Sequence, residues 1–465
     1  LSYSAKQFSF TIGVYLFSMG VGPYFAKFIK KNLLKTFIEI EILVGLIGGI
    51  SSVVLFLLFN SIGHFEWVLY LFVFLTGCLV GLEIPLLMNI LKDRVDFKDL
   101  VSNVFAFDYV GALLASILFP LVLVPNLGIV RTSLFFGLIN ISIAIFLSFY
   151  LQREVRQHYV LKLKSILTFI FLFILFIFSE KILSYSEEKL YGENIVFSHS
   201  SPYQRIVLTR NKNDFRLYLN NNLQFSSADE YRYHEALVHP AFSMAKNIKN
   251  VLILGGGDGL AAREILKYKE VKHITLVDLD AEMTKFFQNN ETMNALNQNS
   301  LNNPKVRVIN QDAYVWVKNQ QQKFDVIIID FPDPSNYSLG KLYSLQFYRE
   351  LQKITNSDTK IVVQTTSPYF APKSFWCIQK TLNQIFPNVT AYHNYVPSFG
   401  ELGFCLAGNN DFSIKRKLNG LRFYNYQFQP LAYFEKDMLA KNVEVNQLQN
   451  QILVRYFDEE WSKVQ

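Results

Sequence analysis

Two architectures follow one another along this chain: a multi-pass α-helical membrane region, then an α/β domain with a doubly wound sheet and a small β unit before it. Three observations predict this. Apolar segments of membrane length recur through the first third and then stop. Short apolar strands alternating with helices come next, opened by the turn Gly255-Gly256-Gly257-Asp258-Gly259. An acidic residue then stands at or just after the end of four successive strands: Asp258, Asp278, Asp312 and Asp330.

At 465 residues the chain has room for two or three domains. It is 51% hydrophobic, with 43 Phe and 25 Tyr. Apolar runs of about 20 residues, enough to span a bilayer, centre on 8–28, 38–59, 66–91, 104–124, 129–150 and 161–179. Residues 1–184 are therefore predicted to form a transmembrane region of about six helices. The chain starts at Leu1 rather than Met, without a cleavable signal pattern, so an upstream piece is expected.

Lysine and arginine placement sets the orientation. Lys27, Lys30, Lys31 and Lys35 follow the first segment, Lys92, Arg94 and Lys98 the third, and Arg153, Arg156, Lys162 and Lys164 the fifth. The loops between, 60–65 and 125–128, carry neither residue, so the basic side is predicted to be cytoplasmic. A sixth span then puts everything beyond it on the opposite face. Either one segment does not cross fully or the later domain faces outward, and the sequence leaves both open.

Within the spans, Glu83 (in Gly81-Leu82-Glu83-Ile84-Pro85) and Asp108 are ionisable groups in a costly place. One reading is a cation path; the plainer one is pairing with Arg94, Lys92 or backbone near helix ends. Gly13, Gly20, Gly22, Gly45, Gly48 and Gly49 read as sites of close helix packing.

The net charge of +7 is spread out, with 14 basic and 10 acidic residues in 1–184 and 31 and 28 beyond. No basic block exists, so a nucleic-acid partner is not expected. Three distant cysteines, Cys78, Cys377 and Cys405, exclude a disulfide framework. His234 and His239 are five apart, whereas the zinc motif H-E-x-x-H needs i, i+4, so no metal is expected.

Residues 185–228 alternate polar and apolar in short bursts around Asn220-Asn221-Asn222, which predicts a small antiparallel β domain. Residues 229–410 form the next predicted domain. It opens with a helix over Asp229–Met244, and strands follow at Val251–Leu254, His273–Val277, Val306–Ile309, Asp325–Ile329 and Lys360–Gln364. Alternation with helices makes this a parallel, doubly wound sheet. The extension 411–465 has a helix-like stretch, Asp437–Leu453, read as a packing or dimer element.

Gly255 and Gly257 let the backbone approach a ligand, and Asp278, about 20 residues on, is placed for ribose hydroxyls. Asp312 suits an adenine amino group. Dinucleotide enzymes and class I methyltransferases share this pattern, so alone it specifies an adenosine-containing ligand. Asp258 shifts the balance, since a carboxylate there repels a methionine carboxylate and attracts a bare aminopropyl ammonium. In Asp330-Phe331-Pro332-Asp333-Pro334, two carboxylates leave a buried strand three residues apart. One can hold an ammonium while the other takes a proton from a reacting amine.

Residues 200–408 resemble the polyamine aminopropyltransferase (spermidine synthase) family. The resemblance runs through Pro202-Tyr203-Gln204, Leu223-Gln224, Asp229–Glu235, His239-Pro240, Val251–Gly259, Asp278–Asp280, Gln311–Ala313, Asp330–Pro334 and Leu342–Ser344. The first third resembles the multi-spanning region fused to some bacterial members, which implies a bacterial inner-membrane protein. The resemblance implies a class I methyltransferase-like (Rossmann-like) catalytic domain and transfer from decarboxylated S-adenosylmethionine to an amine, with no further cofactor. Gln204, Asp278, Asp312 and Ala313 then contact the nucleoside. His234, Asp258 and Asp333 line the amine channel, flanked by Tyr233 and Gln224, and Asp330 is the base.

The chain departs from the family pattern in three places. Asp278 is Glu in many members. The Gly-Pro after D-x-x-D-P is replaced by Ser335–Lys341, and a Pro-Thr-Tyr-Pro stretch by Val396–Glu401. The last change puts the acceptor amine in question and offers Glu401 as a distal amine ligand or a solvated loop acid. The alternatives are a methyltransferase, against which Asp258 and the Asp330/Asp333 pair argue, and a polyamine transporter or sensor that only binds.

Overall fold

The computed structural model describes residues 3–58, 65–92, 95–155, 158–440 and 442–464. Arg94, Arg156 and residues 60–64 of the expected topology lie outside them. The chain divides into two compact units, Tyr3–Pro202 and Tyr203–Gln465.

The first unit contains α1 (Tyr3–Ala26), α2 (Leu33–Leu58), α3 (Phe65–Leu91), α4 (Phe97–Leu118), a π-helical turn at Phe119–Leu123, α5 (Val124–Tyr150), α6 (His158–Tyr191) and β1 (Asn194–Ser200). Among the described residues, five helical stretches are long and apolar enough to cross a membrane. The expected fourth and fifth spans run together as one 53-residue stretch, Lys98–Tyr150. Gly128 (φ 75°, ψ 167°) breaks its helical geometry. No charged residue lies between Asp108 and Arg131, and Asn126 Nδ2 donates back to the Val122 carbonyl at 2.6 Å, so no charge marks a break there.

Close packing falls on some of the expected glycines. A Cβ on Gly22 would lie 2.4 Å from the Cys78 carbonyl oxygen of α3. One on Gly45 would lie 2.7 Å from the Ile141 side chain and 2.9 Å from the Gly137 carbonyl of α5. A Cβ on Gly49 would press on Leu172 of α6 at 3.3 Å and Gly137 of α5 at 3.4 Å. Gly13 and Gly20 face open space, and Gly48 has room for a Cβ but its carbonyl accepts from Ser133 Oγ of α5 at 2.8 Å. Sequence reading was therefore wrong for Gly13 and Gly20, because the smallness of a residue does not say which helix face finds a neighbour. Phe107, Tyr109 and Leu121 are among many large apolar side chains left exposed, more than a water-facing surface ordinarily carries.

The second unit begins with an antiparallel meander, β2 (Arg205–Asn211), β3 (Asp214–Leu219) and β4 (Asn222–Ser226), and the helix α7 (Glu230–Met244). The βα series is β5 (Asn250–Gly255), α8 (Leu260–Leu266), β6 (His273–Asp278), α9 (Ala281–Asn289), α10 (Glu291–Leu296), β7 (Val306–Asn310), α11 (Ala313–Lys318) and β8 (Phe324–Asp330). It continues through α12 (Tyr337–Gly340), α13 (Leu345–Lys353), β9 (Thr355–Gln364) and α14 (Pro372–Leu382). A hairpin, β10 (Asn388–Val396) and β11 (Gly400–Gly408), then precedes α15 (Phe428–Leu431) and α16 (Ile452–Trp461).

The seven-stranded sheet has the order β10-β11-β9-β8-β5-β6-β7. Strands β5 to β9 run parallel, and β11 and β10 add an antiparallel edge. Val251–Leu254, Val326–Ile329 and Ile361–Val363 are fully buried, as continuous apolar strands covered on both faces must be. The chain runs outward from β5 in one direction and returns at β8 to go the other way. That switch point, between the ends of β5 and β8, is where an open α/β sheet binds ligand.

The expected helix at 437–453 is mostly irregular, and the helix begins only at Ile452. Asn442 and Gln451 adopt φ of 62° and 42°. The Asn446 backbone N–H donates to Thr381 Oγ1 at 3.0 Å and its side chain to the Gly340 carbonyl at 2.9 Å. Tertiary partners thus replace the helical ones. In α16, Glu460 accepts from the Lys373 and Ser374 backbone N–H groups at 2.7 and 3.1 Å, closing the N-terminus of α14.

Candidate active site

The crevice is built from the C-terminal ends of β5, β6, β7 and β8. Gly255 lies directly across from Asp330 in the parallel register. A Cβ on Gly255 would sit 2.0 Å from the Asp330 carbonyl oxygen, and its φ is 84°. Only glycine satisfies both conditions. A Cβ on Gly257 would meet the Asp278 carboxylate at 2.7 Å. The turn is thereby pressed against two of the acids that sequence reading singled out.

Asp278 is fixed by backbone donors, from Gly257 at 3.1 Å and Asp280 at 2.8 Å. Burial, with the charges of Asp280 and Asp258, raises its carboxyl to about 6. Gln204 reaches the same end of the sheet, donating to Asp280 Oδ2 at 2.9 Å. Asp312 caps α11 through Tyr314 and Val315 N–H groups and accepts from Lys341 Nζ at 2.6 Å. Burial opposes ionisation there, but Lys341 and the cap hold Asp312 below its usual value. Ala313, the first residue of α11, is buried beside it. The Ser335–Lys341 segment, where the family pattern fails, thus supplies a cation to Asp312.

Asp330 is half-buried and accepts a hydrogen bond from Tyr233 Oη at 2.5 Å. Burial first, then the Asp258 charge, pushes Asp330 up to about 6, against the pull of His234 and Tyr233. Asp258 accepts from the Leu260 N–H at 2.9 Å, which ties it to the start of α8, and burial raises it too. Asp333 takes Gln364 Nε2 at 3.0 Å and Thr366 Oγ1 at 3.4 Å. Burial raises it to about 6. Tyr343 Oη lies within 3.2 Å of the Phe331 and Pro332 carbonyls and of Gln364 Oε1, and its one proton serves one of them at a time, which pins the Asp330–Pro334 loop.

His234 is 2% exposed and its Nδ1 donates to Glu230 Oε2 at 2.7 Å. Burial works against its charge, but Glu230, Asp258 and Asp330 outweigh it and raise the imidazole to about 9. Glu230 in turn receives both terminal nitrogens of Arg263, each at 2.9 Å. Against burial, His234 and Arg263 hold Glu230 down at about 2. Arg263 continues to Glu264, which also takes His239 Nε2 at 2.9 Å and Lys267 Nζ at 2.5 Å. An imidazolium backed by a buried ion network therefore faces the two carboxylates.

Two sequence expectations fare differently. Gln224 lies on β4 with its amide turned back to the Asn222 and Leu223 carbonyls at 3.1 and 3.3 Å. No hydrogen bond joins it to the other site residues among those described. Glu401 is engaged through Oε2 by His393 Nδ1 at 2.7 Å across the β10–β11 hairpin, so it is a paired rather than a free loop acid. Sequence reading missed Glu230 as a partner of His234, and also Arg263, Gln364, Thr366 and Lys341. Of these, only Glu230 carried a signal, one helical turn before His234. No group of three His, Cys, Asp or Glu able to hold a metal occurs among the described residues.

Residues 230–417 match the family model "Spermine/spermidine synthase domain". The solved spermidine synthase from Thermotoga maritima aligns at 23% identity with a TM-score of 0.47, over 52% of this chain and 85% of that one. A polyamine aminopropyltransferase from Leptospira interrogans is 48% identical over 466 residues, covering 100% of this chain and 94% of its own. Polyamine aminopropyltransferase 2 from Ralstonia nicotianae is 48% identical over 100% of this chain and 93% of its own. The likeness takes in the apolar helices as well as the crevice. With identity sustained from end to end, this chain belongs to the polyamine aminopropyltransferase family.

Proposed function

We propose that this enzyme works from a membrane-anchored position, moving the aminopropyl group of decarboxylated S-adenosylmethionine to a diamine such as putrescine. The products are spermidine and 5′-methylthioadenosine. The observation that carries the reading is Asp330, held by Tyr233 at 2.5 Å and raised to about 6 beside Asp258 and Asp333. A carboxylate so poised takes a proton from an attacking amine near neutral pH.

The amine nitrogen attacks the carbon next to the sulfonium, that carbon–sulfur bond breaks, and its electron pair leaves with methylthioadenosine. The proton goes from nitrogen to Asp330. The sulfonium is already activated, so the protein's task is alignment and deprotonation. In this reading Gln204, Asp278, Asp312 and Ala313 hold the nucleoside, and Gly255 and Gly257 let the backbone approach it. Asp258 takes the aminopropyl ammonium, Asp333 and His234 line the acceptor channel, and Tyr233 orients Asp330.

The anchor would be the apolar helices, in a bacterial cell membrane. The catalytic unit would face the cytoplasm, which supplies its substrates. A reporter fused after Gln465 tests that side.

Purified protein incubated with decarboxylated S-adenosylmethionine and, in turn, putrescine, agmatine, cadaverine or spermidine tests the chemistry by mass spectrometry. Spermidine from putrescine is expected. Methylation with intact S-adenosylmethionine, and no aminopropyl product with any amine, would overturn the reading.

A further inference from the structure

Two carboxylates of the first unit, Glu41 and Glu83, lie at matching depth, with Tyr15 and the exposed Asp108 deeper along their helices. Glu41 comes eight residues after the start of α2, and Glu83 eight before the end of α3. Tyr15 lies eleven before the end of α1, and Asp108 eleven after the start of α4. At 1.5 Å per residue these are depths of about 12 and about 17 Å from the same set of helix ends. Those ends carry Lys27, Lys30, Lys31, Lys92 and Lys98, the side read as cytoplasmic. Glu83 is within electrostatic reach of Glu41 and Asp108, and Tyr15 of Glu83 and Asp108.

This group is rich in acceptors and poor in donors. Glu41 is 7% exposed and makes no hydrogen bond or ion pair with any described residue. Its helix neighbours Ile40 and Val44 pack with Leu86 of α3, so it stands in the α2–α3 seam. Glu83 Oε1 is fully buried and has no hydrogen-bond partner among the described residues. Pro23 and Pro85 lack the N–H groups that would bond the carbonyls of Met19 and Gly81, four residues before each. The Met19 carbonyl faces Gly81, where a Cβ would lie 2.6 Å away. Buried carboxylates without donors are costly, and a mobile cation offsets that cost.

We propose that Glu41, Glu83, Asp108 and Tyr15 form a second binding site, within the membrane unit, for a protonated aliphatic amine. Among the described residues no three carboxylates converge closely enough for a metal ion. Acceptors spread over four helices instead match ammonium groups spaced along a flexible chain. The apolar seam of Ile40, Val44 and Leu86 takes the methylenes between them. That the amine is a polyamine rests on the reaction proposed above; the group of acids does not.

The test is equilibrium dialysis of full-length protein in detergent against radiolabelled spermidine. The wild type is expected to bind two equivalents per chain. Glu41→Gln/Glu83→Gln should bind one and keep aminopropyl transfer unchanged, which also reports that it folds. Asp330→Asn/Asp333→Asn should keep the membrane equivalent and lose transfer. Glu41→Asp/Glu83→Asp should retain both equivalents. Undiminished stoichiometry in the Gln pair overturns the proposal. So does loss of the equivalent in both the Gln and the Asp pair, which would assign packing rather than charge. Absent transfer in the wild type would sink the catalytic reading, while an equivalent lost only with the Gln pair would still establish the membrane site.

Discussion

The carboxylates of the two units are treated in opposite ways. In the catalytic unit each strand-end acid has a donor: Tyr233 for Asp330, Leu260 N–H for Asp258, Gly257 N–H for Asp278 and Lys341 for Asp312. In the first unit Glu41 and Glu83 Oε1 have none among the described residues. A held carboxylate has a fixed direction and a tuned proton affinity, as acid–base chemistry needs. An unheld one in an apolar seam lacks that fixed direction, which is what the proposed amine site requires. Burial alone therefore does not separate the two roles; the donors do.

The sharpest way to break this contrast is to neutralise the acid held most tightly. Asp330→Asn should lower kcat by roughly 10²–10⁴-fold, the usual worth of a general base, while calorimetry shows nucleoside binding largely preserved. Next comes the network behind His234. Arg263→Met leaves Glu230 buried with one partner fewer, and losing one member of a buried pair costs about 3–5 kcal/mol. A lower unfolding midpoint in denaturant, partly restored in Arg263→Lys, is the expected readout.

Glu460→Gln removes the carboxylate that closes α14, and should cost about 1.5–3 kcal/mol while kcat stays at the wild-type value. Changed kcat there would mean that the C-terminal extension reaches the chemistry. The smallest effect concerns pH. A base at Asp330, as proposed, acts when deprotonated, so kcat should rise with pH through about 6. Asp258 is one of the charges that raise Asp330, so Asp258→Asn should move that limb to lower pH. A limb moving upward would show that the two acids do not face one another as described.

Much of the catalytic unit was legible in the sequence. Val251–Leu254 and Val326–Ile329 are continuous apolar runs bounded by glycine and acid, a local signal that needs no tertiary knowledge. Asp330, Asp258, Asp278 and Asp312 stood out because they end those runs. What stayed hidden depends on contacts distant in sequence. Arg263 meets Glu230 from 33 residues away, and Lys341 meets Asp312 from 29. Glu401 looked like a free loop acid because its partner, His393, faces it only once β10 and β11 pair, and that hairpin was not foreseen. The helix expected at 437–453 failed for the same reason, since Asn446 bonds to Thr381 and Gly340 rather than to its own turn. In the first unit Glu83 drew notice by its apolar neighbours, whereas Glu41 did not, lying close to the Lys35–Glu39 charges that mark a helix end.

The central claim is that Asp330 takes the proton from the attacking amine. Single-turnover formation of methylthioadenosine from decarboxylated S-adenosylmethionine and putrescine, followed across pH, tests it most directly. The wild-type rate should climb through one ionisation near about 6, and Asp330→Asn should be slow and lack that limb. An Asp330→Asn protein that keeps both the limb and the rate would contradict the account and place the base elsewhere.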